Sequence, residues 1–129
     1  MSNRYFYFVH NEELRIAEKD VLVWRGKPKN LNVKEVLSIP GTDDCIVLLD
    51  LYQAEALHTK NLLRCDPGGH INWESGFPLS TLHGINRNDH ECYGRVRIEN
   101  NMVIATSLSG FADYFEIETG KIIKSEFVK

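Results

Sequence analysis

The sequence predicts an all-β protein with a half-propeller-like arrangement, in which two four-stranded antiparallel meanders follow a smaller group of N-terminal strands. Three observations lead to this fold class. Strand-type segments occupy most of the 129 residues, turn-forming residues separate them, and one hairpin pattern recurs about every fifty residues. The length suits a single domain spanning residues 1–129. The same strands also allow a β-sandwich or a partly open barrel, which we retain as the alternative.

The predicted strands are short segments rich in aromatic, aliphatic and β-branched residues. Three N-terminal strands are predicted at 4–9, 14–18 and 21–25, the first meander at 34–39, 45–51, 62–65 and 70–74, and the second at 93–98, 102–107, 111–117 and 121–128. Asn100-Asn101 favours a two-residue hairpin turn because Asn tolerates positive φ, and Ser109-Gly110 offers another turn. The segment YQAEALHTK (52–60) predicts a loop or at most one helical turn, and WRGKPKN (24–30) is interpreted as a linker.

The repeated hairpin is visible in three segments, LRIAEKDVLVW (14–24), LRCDPGGHINW (63–73) and FEIETGKIIKS (115–125). Each predicts a strand, a three-residue connection and a second strand, with Asp20, Gly69 and Gly120 at the end of the connection. These positions are 49 and 51 residues apart (69 − 20 and 120 − 69), a spacing typical of propeller blades. The residues predicted to fill a hydrophobic seam between the sheets are Trp24, Leu48, Trp73, Val103, Ile104 and Phe115.

The bulk composition favours a cytoplasmic protein without a nucleic-acid or membrane partner. The net charge is −3 and the pI is near 5.9, and Lys and Arg are not clustered as a nucleic-acid or anionic-membrane binder requires. No apolar run approaches the roughly 18 residues of a membrane span, and no secretory signal is recognisable. The odd number of cysteines argues against a disulfide scaffold, and Cys45 and Cys65 are expected to be small buried hydrophobic residues.

The sequence contains no catalytic motif, and we therefore predict a protein that is not an enzyme and has no cofactor or metal. The one long irregular stretch, residues 75–92, contains His83, Asp89, His90 and Cys92, but their spacing is not that of a metal-ligand set. The alternative is a small-ligand or metal-binding protein, or an enzyme, that uses this 75–92 loop. A further alternative is a subunit that completes a propeller with a second copy through exposed sheet edges.

Two parts of the chain resemble a known group of small bacterial proteins. These are CIVLLDLYQ…NLLRCDPGGHINWE in the middle and CYGRVRIENNMVIATSLSGFADYFEIETGKIIKSEFVK at the end, so the resemblance spans most of residues 34–129. The chain is similar there to half-propeller-like proteins found beside polymorphic toxins, of the contact-dependent growth inhibition or toxin-immunity type. The resemblance implies a non-enzymatic immunity protein that binds one cognate toxin in a 1:1 complex and covers its active site.

Acidic and aromatic side chains would complement the basic cleft of a nuclease toxin, because such a cleft holds phosphates. We therefore expect the partner-binding residues among exposed carboxylates and aromatic residues in loops at one end of the molecule. The predicted residues are Asp50, Tyr52, Glu55, His58, Glu74, Asp89, Glu91, Tyr93 and Asp113.

Overall fold

The computed structural model describes residues 4–75 and 91–128, and these form three antiparallel sheets with eleven strands. Sheet A consists of β1 (Tyr5–His10), β2 (Glu13–Glu18) and β3 (Val21–Gly26). Sheet B consists of β4 (Val33–Ser38), β5 (Cys45–Leu49), β6 (Leu62–Cys65) and β7 (Ile71–Ser75). Sheet C consists of β8 (Tyr93–Glu99), β9 (Met102–Ser107), β10 (Phe111–Glu116) and β11 (Ile122–Phe127). The predicted all-β class, with two four-stranded meanders and three N-terminal strands, is confirmed.

Sheet B lies between the other two sheets and is buried on both faces. Along β5 the side chains alternate, so that Cys45, Val47 and Leu49 pack towards sheet A, whereas Ile46 and Leu48 pack towards sheet C. All five residues are buried. The protein therefore has two hydrophobic seams, one on each side of sheet B, because the N-terminal strands form a sheet of their own.

Most of the predicted core is buried, although not all of it lies in a seam. Leu48, Val103 and Phe115 lie in the seam between sheets B and C. Ile104 is buried but pairs with Arg97 and Tyr114, and so lies on the face of sheet C that points away from sheet B. Trp24 and Trp73 pack at the margins of the two seams and are only partly buried.

Each tryptophan lies against the turn glycine of the next sheet. Trp24 of β3 contacts Gly69 in the turn after β6, and Trp73 of β7 contacts Gly120 in the turn after β10. A Cβ atom at Gly120 would lie only 2.5 Å from Trp73 Cδ2, and the corresponding atom at Gly69 would overlap the Trp24 indole. Both glycines also have positive φ, +80° and +74°. The two glycines are therefore required both by backbone conformation and by the space that the indole occupies.

A bulge repeats with the same period as the turns. One residue of each outer strand has no partner in the preceding strand, and these residues are Val23, Asn72 and Ile123. They are 49 and 51 residues apart (72 − 23 and 123 − 72), which matches the spacing of the turns. The residue after the bulge is Trp24, Trp73 or Lys124, so sheet C carries a lysine where the other two sheets carry tryptophan.

The three turns differ in length, contrary to the prediction of one common three-residue connection. Three residues connect the second hairpin, in which the Asp66 amide donates to the His70 carbonyl. The first is a two-residue turn in which Lys19 and Asp20 both have positive φ, and residues 117–120 make the third a four-residue turn.

The remaining connections differ in part from expectation. The segment predicted as a loop or a single turn contains a six-residue helix, α1 (Leu51–Ala56), because Asp50 caps its first turn. The predicted linker contains a 3₁₀ turn at Pro28–Asn30 in which Pro28 is buried. Asn100 and Asn101 both have positive φ, which confirms the two-residue turn, whereas residues 108–110 form a three-residue turn that ends at Gly110. None of the helices in the described ranges is long and apolar enough to cross a bilayer.

Candidate protein-binding surface

Most of the predicted partner-binding residues that the structure describes lie at one end of the molecule, which we call the helix end. It contains α1 and its flanks (residues 50–61), the end of β7, the start of β8 and the turn at residues 108–110. Asp50, Tyr52, Glu55 and His58 lie in the β5–β6 connection, Glu74 lies near the end of β7, Glu91 precedes β8, and Tyr93 begins it. Asp113 lies within β10. Asp89 lies outside the described residues, as do His83 and His90.

Helix α1 is held in place by polar contacts at its N-terminus. The Asp50 carboxylate accepts a hydrogen bond from the Gln53 amide at 2.9 Å, and the Gln53 side-chain oxygen accepts one from the Asn32 amide at 2.8 Å. Leu51 and Ala54 are the buried residues of this helix. The sequence signal for this cap was present, because Asp followed three residues later by Gln is typical of a helix N-terminus.

Two side chains, Glu55 of α1 and Asn61 after it, connect the β5–β6 connection to sheet C. The buried Asn61 side chain donates hydrogen bonds from Nδ2 to the backbone carbonyls of Leu49 (3.1 Å) and Tyr93 (2.8 Å). Its Oδ1 atom accepts a hydrogen bond from the backbone amide of Tyr93 (3.1 Å). The Glu55 carboxylate accepts from the Cys92 amide at 3.1 Å. Asn61 was not predicted, since its role depends on backbone groups 12 and 32 residues away.

Three of the predicted surface residues are buried, so their expected exposure is wrong. Tyr93 and Asp113 are 0% exposed and Glu91 is 6% exposed. The Tyr93 hydroxyl donates to Asp113 Oδ2 at 2.6 Å, and the Ser125 hydroxyl donates to Asp113 Oδ1 at 2.5 Å. Glu91 accepts a hydrogen bond from the Ser109 hydroxyl. These polar groups are tolerated inside the protein because they are hydrogen-bonded.

The remaining predicted carboxylates of the helix end, of which only Glu74 is exposed, also stabilise the fold. Glu74 forms an ion pair with Lys29 at 2.6 Å, and Lys29 also donates to the Lys60 carbonyl at 2.9 Å. Glu74, Lys60 and His58 line an open cleft of about 450 Å³. Because Asp50 and Glu55 also accept hydrogen bonds from this chain, the expected acidic surface is largely committed to internal contacts.

Exposed apolar side chains form a different surface at the same end. Tyr52 and Leu108 are each 70% exposed, and Val128 is 54% exposed. Leu108 is shared by two clefts, one of about 200 Å³ that includes Tyr52, and one of about 490 Å³ that includes Val128. We call this region the Leu108 surface, and define it by Tyr52, Gly94, Arg95, Arg97, Leu108 and Val128.

The cysteines are unsuited to nucleophilic chemistry. Cys45, Cys65 and Cys92 are all buried, as expected for Cys45 and Cys65. Burial raises the pKa of Cys65 and of Cys92 to about 12, and it also raises the pKa of Cys45. The thiols therefore stay protonated at neutral pH, and the thiolate is the nucleophilic form. Within residues 4–75 and 91–128, no group of three or more His, Cys, Asp or Glu side chains could hold a metal ion.

Comparison with known proteins gives a family and a fold. The sequence profile of the family described as Domain of unknown function (DUF7957) matches residues 7–127. Among curated proteins, none matches the chain.

Three solved structures resemble the fold at low sequence identity. The computationally designed Ika8 protein has a TM-score of 0.65 and 10% identity, with 100% of this chain and 35% of Ika8 covered. The designed Ika4 protein has a TM-score of 0.66 and 10% identity, with 100% of this chain and 70% of Ika4 covered. BamB from Moraxella catarrhalis, which is propeller-like, has a TM-score of 0.61 and 11% identity, with 98% of this chain and 33% of BamB covered. The chain spans about a third of the length of Ika8 and of BamB, and the likeness confirms the half-propeller-like class.

Proposed function

The chain belongs to the DUF7957 family, and we propose that it is a non-enzymatic protein of the cytoplasm that binds a cognate bacterial toxin and covers its active site. The proposal is motivated by the resemblance to proteins found beside polymorphic toxins that the sequence suggests over most of residues 34–129. The observation that carries it is the Leu108 surface, where exposed apolar side chains line two clefts that share Leu108.

The composition of the Leu108 surface supports a protein partner. Tyr and Arg are enriched among the residues that dominate protein–protein binding energy, and this surface contains Tyr52, Arg95 and Arg97. Tyr52 extends from α1. The N-terminal cap of this helix and its hydrogen bond to Asn32 fix the position of the helix before a partner binds. A surface that is ordered in advance loses less conformational entropy on binding, which favours a tight complex.

The mechanism is occlusion without a chemical step. A standard interface buries about 1,600 Å² in total, or roughly 800 Å² on each partner. The protein exposes 7320 Å² of surface, so one such interface would cover about a tenth of it. One copy of the chain would then bind one copy of the toxin and deny substrate access to the active site.

Co-expression tests this function. The proposal predicts a toxin reading frame beside the one that encodes this chain; the neighbouring frame is expressed in a bacterial host with and without the chain, and growth is measured. We expect the chain to restore growth, and the purified proteins to form a 1:1 complex by light scattering. The variant Leu108→Asp is expected to lose protection, because it places a charge in the shared wall of both clefts.

The matched control is Ile123→Asp, an exposed aliphatic residue in β11 that lies in neither cleft and is 53% exposed. This variant is expected to protect as well as the unaltered chain. Equal loss of protection in both variants, or full protection by both, would contradict an interface at the Leu108 surface. Failure of the unaltered chain to protect would contradict the proposed function itself.

A further inference from the structure

Two arginines line one wall of the larger cleft. Arg95 and Arg97 are exposed, lie on the same face of β8, and pair with Thr106 and Ile104 of β9. Because alternate residues of a strand are roughly 6.6 Å apart, the two arginine side chains leave the backbone with that spacing. An extended peptide presents its own alternate side chains with the same repeat. The wall therefore has the spacing to meet two acidic side chains separated by one residue.

The rest of the cleft is mainly apolar. Ile104, which is 2% exposed, and Thr106 come from β9, and Leu108, Gly110 and Val128 line the cleft with them. The cleft has a volume of about 490 Å³, which accommodates a few side chains of a partner. An apolar side chain between two carboxylates would meet this apolar surface while the carboxylates reach the arginines.

The arginines remain available for a partner. Arg97 donates from Nε to Glu99 at 2.7 Å, but the two side chains are 52% and 56% exposed, and such surface pairs are weak and easily exchanged. Arg95 has no ion-pair partner among the described side chains. The carboxylates of Glu99 and Glu126 lie near Tyr114, which does not line the cleft.

We propose that this cleft binds an acidic, extended segment of the partner protein, with carboxylates on Arg95 and Arg97 and an apolar side chain against Leu108 and Val128. The proposal rests on the proposed function only in taking the partner to be a protein. The proposal reverses the charges expected from the sequence. The sequence predicted an acidic surface on this protein and a basic, phosphate-binding cleft on the toxin, whereas here this protein supplies arginines and the partner supplies carboxylates.

Peptide binding tests the proposal without the toxin. The probes are two fluorescein-labelled peptides, acetyl-Glu-Leu-Glu-Leu-Glu and acetyl-Lys-Leu-Lys-Leu-Lys, and binding is measured by fluorescence polarisation at low salt. We expect the acidic peptide to bind at least about tenfold more tightly than the basic one, and the difference to shrink in high salt. The variant Arg95→Glu is expected to weaken binding of the acidic peptide by about tenfold or more.

The matched control is Lys124→Glu, which makes the same change in net charge on the same face of sheet C, outside the cleft. It is expected to change binding less than about twofold, since it alters only distant charge. Equal affinity for the two peptides would overturn the proposal, as would equal effects of the two variants. Tighter binding of a labelled oligothymidine than of the acidic peptide would also overturn it, in favour of a nucleic-acid partner. These results do not depend on growth protection, so this inference and the proposed function fail separately.

Discussion

Substitution of Gly120 by Ala tests the contact that joins sheet B to sheet C. Gly120 has φ +74°, a conformation that costs an L-residue roughly 1–2 kcal/mol. The added Cβ would also lie 2.5 Å from Trp73 Cδ2 and Cε3, so the indole must move. Forcing a packed side chain to move typically costs about 1–3 kcal/mol. The indole also donates from Nε1 to the Ile117 carbonyl at 2.9 Å, which resists its movement. We expect Gly120→Ala to lower the free energy of unfolding by about 2–5 kcal/mol.

Gly41 provides a matched control because it has the same backbone conformation without the contact. Its φ is +79°, and a Cβ atom there would meet nothing within 4 Å. We therefore expect Gly41→Ala to cost only the backbone term, roughly 1–2 kcal/mol. Both variants are measured by equilibrium urea unfolding followed by tryptophan fluorescence and circular dichroism. The difference between them isolates the contact with Trp73.

A double-mutant cycle makes the test stricter. In the background Trp73→Leu the indole is gone, and Gly120→Ala should then cost no more than Gly41→Ala. Equal costs for the two glycines in the unaltered background would refute the reasoning, because the indole would then not constrain the turn. An undiminished cost of Gly120→Ala in the Trp73→Leu background would refute it as well.

Three further predictions concern buried polar groups and are checked by the same unfolding measurement. Asn61→Ala should lower the free energy of unfolding by about 3 kcal/mol, because three buried backbone groups lose a partner; a cost as small as that of the exposed substitution Asn72→Ala would contradict this. Tyr93→Phe should cost about 1–3 kcal/mol by removing a donor from the buried Asp113 carboxylate, whereas the control Tyr52→Phe should be neutral. Stability should fall as pH rises above about 8.5, because the unfolded chain releases thiol protons there, while the folded Cys65 and Cys92 retain theirs until about pH 12. The variant Cys92→Ala should make that fall shallower, and an unchanged slope would contradict the assigned burial.

The sequence was sufficient for the fold because strand pattern, turn chemistry and the repeat agree with one another. Gly69, Gly120 and the two tryptophans can be identified in the sequence, since each has a fixed position relative to a turn. The contact between tryptophan and glycine could not be predicted, because Trp24 and Gly69 belong to neighbouring repeats and only the packing of the sheets brings them together. The lengths of the turns were also missed, because pairing across the hairpin decides where each turn begins.

Most of the predicted partner-binding residues lie at one end of the molecule, but several of them are buried there. The alternation of strands brought the β5–β6 connection and the start of β8 to one end, as expected for loops of a meander. Asp113 was misplaced although the sequence carried a signal, since Phe111, Asp113 and Phe115 alternate and share a face of β10. Arg95 and Arg97 are not among the predicted residues because an acidic surface was expected, although the alternation in RVRI places both on one face.

The repeated bulge has a consequence for solubility. Among the described residues, each sheet ends at its rim in a strand that pairs on one side only, and Val21, Leu22 and Val23 expose aliphatic side chains along one such strand. Flat edges of this kind recruit further strands and seed fibres. An extra residue at Val23, Asn72 and Ile123 breaks the regular ladder and twists each rim, so that an incoming strand cannot stay in register. The bulge that precedes each tryptophan therefore also disfavours edge-to-edge association between copies of the protein.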